Sequence, residues 1–253
     1  MRVSCPSAYF ATLVLVVYLA ASIPVTGFTT DVGEAENARV EAYRSNLLTR
    51  GEERVVGERL AFLYEQRHPS LKGPDAQIRL ERILARLRIA IPEQALDIKV
   101  IQGLRPEAVS FPPGRIFITD GLVKLAATDD ELAAVIAHEA AHIVNHHLAR
   151  LIALALMLPA DERERFPARP AIIKGQAAQF TFPAALGPER LRYEMEADQI
   201  AIGWLKSAVY NGQALAILLD NLKSRLSPYA QPERATLSAR VRLLNRQSSV
   251  SAR

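Results

Sequence analysis

Cysteine is almost missing: Cys5 is the only one in 253 residues, and it stands just before an apolar N-terminal run. The body of the chain therefore carries no thiol, which excludes a disulfide scaffold and lets the protein work in an oxidising compartment without one. Cys5 also lies too early, ahead of the apolar run, to be a bacterial lipoprotein cysteine. No charge sign dominates either. There are 31 Lys plus Arg against 27 Asp plus Glu, and the cations alternate with acids, as in Gly51-Glu52-Glu53-Arg54 and Asp161-Glu162-Arg163-Glu164-Arg165. Despite a pI near 9.3, nothing resembles a polyanion-binding stripe, and no nucleic-acid partner is expected. Internal repeats and low-complexity tracts are absent, and a composition 49% hydrophobic and 23% charged excludes disorder and collagen.

What is present begins with the N-terminus. Arg2 is the sole charge before Asp31, and Ala8 to Ile23 is apolar, followed by Pro24 and the small residues Thr26 and Gly27. This pattern reads as a secretory signal. Its 16 residues fall short of the roughly 20 that span a bilayer, but extension to Phe28 makes an uncleaved anchor. Residues 1–28 are thus expected to be a signal peptide or an N-terminal membrane anchor, and either would export the rest of the chain. Residues 31–246 read as one domain and 247–253 as a C-terminal tail.

Along that domain the pattern runs helices, a short block of strands, then helices. Glu34 to Gln66 is helical in composition with a break near Gly51. Pro74 opens a helix in which Ile78, Leu80, Ile83, Leu84 and Leu87 alternate with Arg79, Arg82, Arg86 and Arg88, an arginine stripe expected to be a solvated face. Between Ala95 and Thr119 the period changes to two. Asp97–Ile101, Ala108–Phe111 and Ile116–Thr119 read as strands, the last two joined by the turn Pro112-Pro113-Gly114. Three short strands make no core alone and need helices against one face. Pro159 to Pro188 is the only long irregular stretch; helices around Glu189–Ser207, Gln213–Leu226 and Leu237–Arg246 come after it. The apolar stretch Leu148–Leu158 reads as the buried end of the helix that precedes it.

That preceding helix carries the chemistry. Thr128 with Glu131 three residues on is a capping-box signature, and Asp129 and Asp130 suit the positive end of a helix dipole. The helix continues through Leu132-Ala133-Ala134-Val135-Ile136-Ala137 into His138-Glu139-Ala140-Ala141-His142. Positions four apart share a face, so both imidazoles reach one metal ion about 2 Å from each nitrogen, with Glu139 placed to address a water in the open position. An apolar lead-in argues that the two histidines and the glutamate have partners, because a buried helix does not carry them bare. Zinc is the expected metal.

A catalytic zinc takes a third protein ligand. His146 and His147 are near in sequence, but His146 lies about 12 Å along the axis from His138, and three ligands on one straight helix cannot close around an ion. A carboxylate on another element is needed. Glu194-Met195-Glu196-Ala197-Asp198 offers Glu194 and Asp198 on one helical face. Glu194 can ligate while Asp198 accepts the second N–H of a zinc-bound histidine; Glu196 points away and reads as solvated or structural.

These motifs resemble the HtpX and CaaX prenyl endopeptidase family of zinc metallopeptidases, over about Glu34 to Leu244. The strong parts are Asp130 to His142 and Glu194-x-x-Ala197-Asp198, where the family's third ligand is the first glutamate. The weaker ones are Pro112-Pro113-Gly114-Arg115-Ile116 and Thr119-Asp120-Gly121-Leu122. Lacking several membrane spans, the chain looks like the soluble, periplasmic branch. The resemblance implies an α+β fold, mostly helical and gluzincin-like, with a small sheet beside the active-site helix. It also implies a zinc endopeptidase acting on polypeptide in exported or misfolded envelope proteins, with possible inner-membrane association through the N-terminal segment. Glu139 would be the general base, His138, His142 and Glu194 the zinc ligands, Asp198 their outer support, and Ala108, Val109, Ser110 and Phe111 the strand beside which substrate lies. Two places depart from the family pattern. Glu107 and Pro113-Gly114 stand where it often has asparagine and two glycines. Arg234 falls where a histidine often precedes the step matched by Arg240-Val241. Arg234 is therefore the candidate oxyanion donor, with Tyr193 and Tyr229 next. The alternative class is a zinc-stabilised, protease-like chaperone or binding module with little cleavage, against which the retained Glu139 argues.

Overall fold

Local signals divide the chain into elements close to those read from periodicity. The computed structural model describes residues 32–250 apart from 93–94, 164–165, 176–179 and 228–229; the N-terminal segment 1–28 and Tyr229 lie outside the described residues. In chain order the elements are α1 (Val32–Asn46), α2 (Arg50–Arg67), α3 (Asp75–Leu87), β1 (Asp97–Ile101), β2 (Ala108–Phe111), β3 (Arg115–Thr119), α4 (Asp120–Leu125), α5 (Asp129–Val144), α6 (His147–Met157), α7 (Arg169–Ile173), α8 (Gly187–Ser207), α9 (Ala214–Arg225) and α10 (Gln231–Val250). The architecture is α+β and mostly helical. The first helical break, expected near Gly51, comes at Leu47–Thr49, where Thr49 and Glu52 form a reciprocal capping box that starts α2. The last helix begins at Gln231 and continues to Val250, into the segment read as a tail.

The sheet has the order β1-β3-β2, with β1 parallel and β2 antiparallel to β3. Strand alternation sends Ile98, Val100, Ala108, Ile116 and Ile118 into the main core with α3, α4, α5, α8, α9 and α10. The opposite face, with Ile101, Val109 and Phe117, meets Ala61 and Tyr64 of α2. Helices thus cover both faces, not one. Tyr64 packs its ring against Phe111 and Phe117 at 5.6 and 5.2 Å between centroids. Close approach of α2 to the β2–β3 turn requires Gly57, where a Cβ would lie 2.0 Å from the Pro112 carbonyl oxygen. Strand β2 ends up as a sheet edge lying against α5.

The arginine stripe of α3 is the solvated face expected of it, with Arg82, Arg86 and Arg88 exposed, and its cations also act as tethers. Arg79 and Arg82 bind Asp129 at 2.7 and 2.8 Å, Arg86 donates to the carbonyls of Ala208 and Val209, and Arg88 donates to that of Leu96. The cations sit where the chain turns between elements, so they serve free carbonyls and a helix N-terminus. One expectation needs correction: Leu148–Leu158 is no continuation of α5. His146 adopts left-handed backbone (φ 53°), and α6 departs at 52° to α5. Ile152, Ala153 and Ala155 of α6 are fully buried, and the helix packs in a second cluster with Phe166, Phe182 and Tyr193. Among the described residues no single helix is long and apolar enough to cross a membrane. The described part of the irregular stretch is anchored in that cluster, through the mutually packed rings of Phe166, Phe180 and Phe182.

The Asp129 tether makes a test of how α5 is held. Arg79 first, then Arg82, keeps the Asp129 carboxyl below its usual range. A carboxylate whose pKa falls on folding adds stability above the unfolded value near 3.9 and loses it as pH drops. Asp129 is 40% exposed, so screening limits the gain, and Asp129→Asn should cost about 0.5–1 kcal/mol at pH 7. Urea melts should show that difference shrinking as pH falls below about 4 and vanishing only below the lowered folded-state pKa; a pH-independent difference would remove the ion pair as its cause.

Candidate active site

Helix α5 is buried along nearly its whole length, and its alanines at 133, 134, 137, 140 and 141 are fully excluded from solvent. Small side chains on α5 and Ala197 and Ala201 on α8 let the two helices approach closely, which brings α8's acids over the histidines of α5. Thr128 caps α5 as expected, its Oγ1 accepting from Glu131 N, although the Glu131 carboxylate reaches back to Ala127 N instead of Thr128.

His138, His142 and Glu194 converge. Their side chains each offer a ligand atom within 4.8 Å of the others. Nε2 of His138 lies 3.1 Å from Nε2 of His142, and the Glu194 oxygens lie 3.3 and 3.6 Å from these nitrogens. Two nitrogens each about 2.0–2.1 Å from a tetrahedral ion stand about 3.4 Å apart, so the spacing fits a zinc ion with little adjustment. Two imidazoles and a carboxylate are also a donor set zinc uses in catalytic sites. Asp198, 1% exposed, faces His138 Nδ1 at 2.9 Å, the outer support expected of it.

One residue central to this cluster was matched in the sequence only as part of the Arg240-Val241 step and given no role at the site. Arg240 of α10, 1% exposed, forks onto Asp198 through Nε and Nη2 at 2.7 and 2.6 Å and donates Nη1 to Glu194 at 2.8 Å. Burial would raise both carboxyls, but Arg240 outweighs it and holds Asp198 and Glu194 below their usual range. Burial lowers His142 to about 4; it acts the same way on His138, where Asp198 and Glu194 override it and raise the imidazole to about 9. Glu139, 8% exposed, is pushed up by burial, partly opposed by His138 and by the Ser110 hydroxyl on β2. A carboxylate with a raised pKa is the better proton acceptor.

Beside the cluster opens a cavity of about 460 Å³, reached by His138, Glu139, His142 and Glu194 and walled by apolar side chains such as Leu122, Val135, Leu215, Leu219 and Leu237. Ala108 of β2 lines it. Ser110 lines a small recess with His142 and Glu194, whereas Val109 belongs to the α2-facing cluster and Phe111 packs on it. Of the four strand residues, only Ala108 and Ser110 face the site.

Arg234 does not. Its Nη1 donates to the carbonyls of Lys223 and Leu226 at 3.0 and 3.1 Å, closing the C-terminal end of α9, and its neighbours Glu233 and Leu237, not Arg234, line the cavity. Free helix-end carbonyls attract an arginine, and a count from a family pattern cannot see them. Tyr193 is occupied as well, stacked on His147 with Arg150 over its ring. Glu196, read as solvated or structural, is structural: it pairs with Arg150 at 3.1 and 3.2 Å and lies 3.6 Å from His147 Nε2.

The same residues fall within the part of the chain that known proteins share. The chain is 30% identical over 128 residues to the mitochondrial metalloendopeptidase OMA1 of Schizosaccharomyces pombe, a stretch covering 50% of this chain and 37% of that protein. The model of Peptidase family M48 matches residues 72–239, which hold both histidines, Glu139, Glu194 and Asp198. The chain belongs to peptidase family M48.

Proposed function

We propose that the chain is a zinc-dependent endopeptidase that cleaves polypeptide in exported or misfolded envelope proteins. One observation carries the reading: His138, His142 and Glu194 converge at a buried point, with Glu139 one residue along the same helix and facing the same cavity. His138, His142 and Glu194 would hold a zinc ion, which would supply a lowered water pKa and polarisation of a scissile carbonyl. Glu139 accepts the proton of the attacking water and hands it to the departing amine. The cavity's low-dielectric walls keep bulk water from competing.

Substrate enters extended along the free edge of β2, where Ala108 and Ser110 face the site, and seats a large apolar side chain in the leucine-walled cavity. An unfolded chain supplies both an unpaired backbone and exposed apolar side chains, whereas a folded one hides them. The run Ala8–Ile23 supports export, to the periplasm or the periplasmic face of a bacterial inner membrane, as in the soluble HtpX-like branch.

The purified protein should hold a single zinc ion, degrade an unfolded model polypeptide next to large aliphatic or aromatic residues, and stop when chelated. Glu194→Ala should lose most of its zinc through removal of a ligand. Full zinc stoichiometry in that variant would place the third ligand elsewhere. Zinc without any cleavage would favour the chaperone-like alternative.

A further inference from the structure

His142 has a second nitrogen to satisfy, and among the described residues no carboxylate reaches it as Asp198 reaches His138. What faces it is another histidine. His147, 1% exposed at the start of α6, presents Nδ1 to His142 Nδ1 at 2.9 Å. Its ring lies flat on Tyr193, 4.8 Å between centroids and 10° between planes. On its far side Nε2 stands 3.6 Å from Glu196, the carboxylate that Arg150 grips. The sharp turn at His146 is what brings His147 back under His142 instead of continuing α5.

Proton placement in this row rests on the zinc reading proposed for the site. If His142 Nε2 is a ligand, it needs its lone pair there, so the His142 proton sits on Nδ1. Two nitrogens 2.9 Å apart share one proton, so His147 Nδ1 must accept. The His147 proton is then on Nε2, which lies 3.6 Å from the Glu196 carboxylate, beyond a direct hydrogen bond but within reach of its charge, and Arg150 holds Glu196 there. We propose that His147 is a positioning residue for the metal site, fixing the tautomer and ring direction of His142, and that Glu196 with Arg150 fixes His147 in turn. The two zinc histidines are thereby supported differently: His138 directly by an anion, His142 through a neutral ring that relays to one.

Imidazole nitrogen NMR on the zinc-loaded full chain tests the proton row directly. Expected are His142 protonated on Nδ1 and His147 on Nε2; His147 protonated on Nδ1 overturns the proposal whatever any variant does. Variants test the consequence. His147→Phe keeps a ring against Tyr193 but accepts nothing, and should weaken zinc affinity about 10- to 100-fold in chelator competition. His147→Asn places an acceptor oxygen at the position of Nδ1 and should recover most of that loss. A merely structural role predicts the opposite order, since Phe preserves the stack and Asn does not. Zinc affinity in His147→Phe equal to wild type overturns the assignment alone, whereas wild type that binds no zinc overturns the zinc reading as well.

Discussion

Glu139→Gln should retain its zinc and fold and lose peptide cleavage by about a hundredfold to ten-thousandfold. The amide fills the same buried space between His138 and the Ser110 hydroxyl but has no lone pair basic enough to take a proton from water. Stability should not suffer. Glu139 sits at a site where burial and Glu194 both disfavour its charge, so a neutral isostere relieves repulsion. The expected combination is a melting temperature equal to or above wild type, unchanged zinc content, and kcat near background on a fluorogenic peptide. More than a few per cent of wild-type kcat would take the general-base role from Glu139.

Arg240→Leu should be the most damaging single change to stability. The guanidinium is buried and its charge is divided between Asp198 and Glu194. Its removal leaves these carboxylates in a low-dielectric interior beside Glu139, and breaking such a pair costs about 3–5 kcal/mol, a large part of the roughly 5–15 kcal/mol that holds an ordinary domain together. Zinc carries two positive charges to the same spot, so folding of the variant should become strongly zinc-dependent. Thermal melts with and without zinc would show a far larger zinc-induced rise than in wild type. A melting temperature within a few degrees of wild type in the presence of chelator would mean that the acids are neutralised by some other group.

Much of the site was legible because its signals are local. Strand alternation marked β1 and β2 at their observed bounds, and His138-x-x-x-His142 states its own geometry once α5 is known to be a helix. Glu194 and Asp198 emerge from the same four-residue spacing. Arg240 was not legible in this way. It meets Asp198 and Glu194 from 42 and 46 residues downstream, and although the resemblance matched the Arg240-Val241 step, nothing in its own segment says what that arginine binds. Which arginine turns inward is decided by how α10 docks, a tertiary fact. His147 was hidden for a different reason. A straight helix from Asp129 to Leu158 would point it away from His142, and only the left-handed turn at His146 reverses this. Asn145, a residue that often ends helices, was the available warning.

Because the charge balance of the site is drawn from two distant helices, its assembly has an order in time. During synthesis His138, His142 and Glu194 leave the ribosome before Arg240. Until α10 docks, the acids of α8 lack the Arg240 charge, and closing apolar walls over them costs more. The charge balance of the site is thus complete only once the last helix has docked.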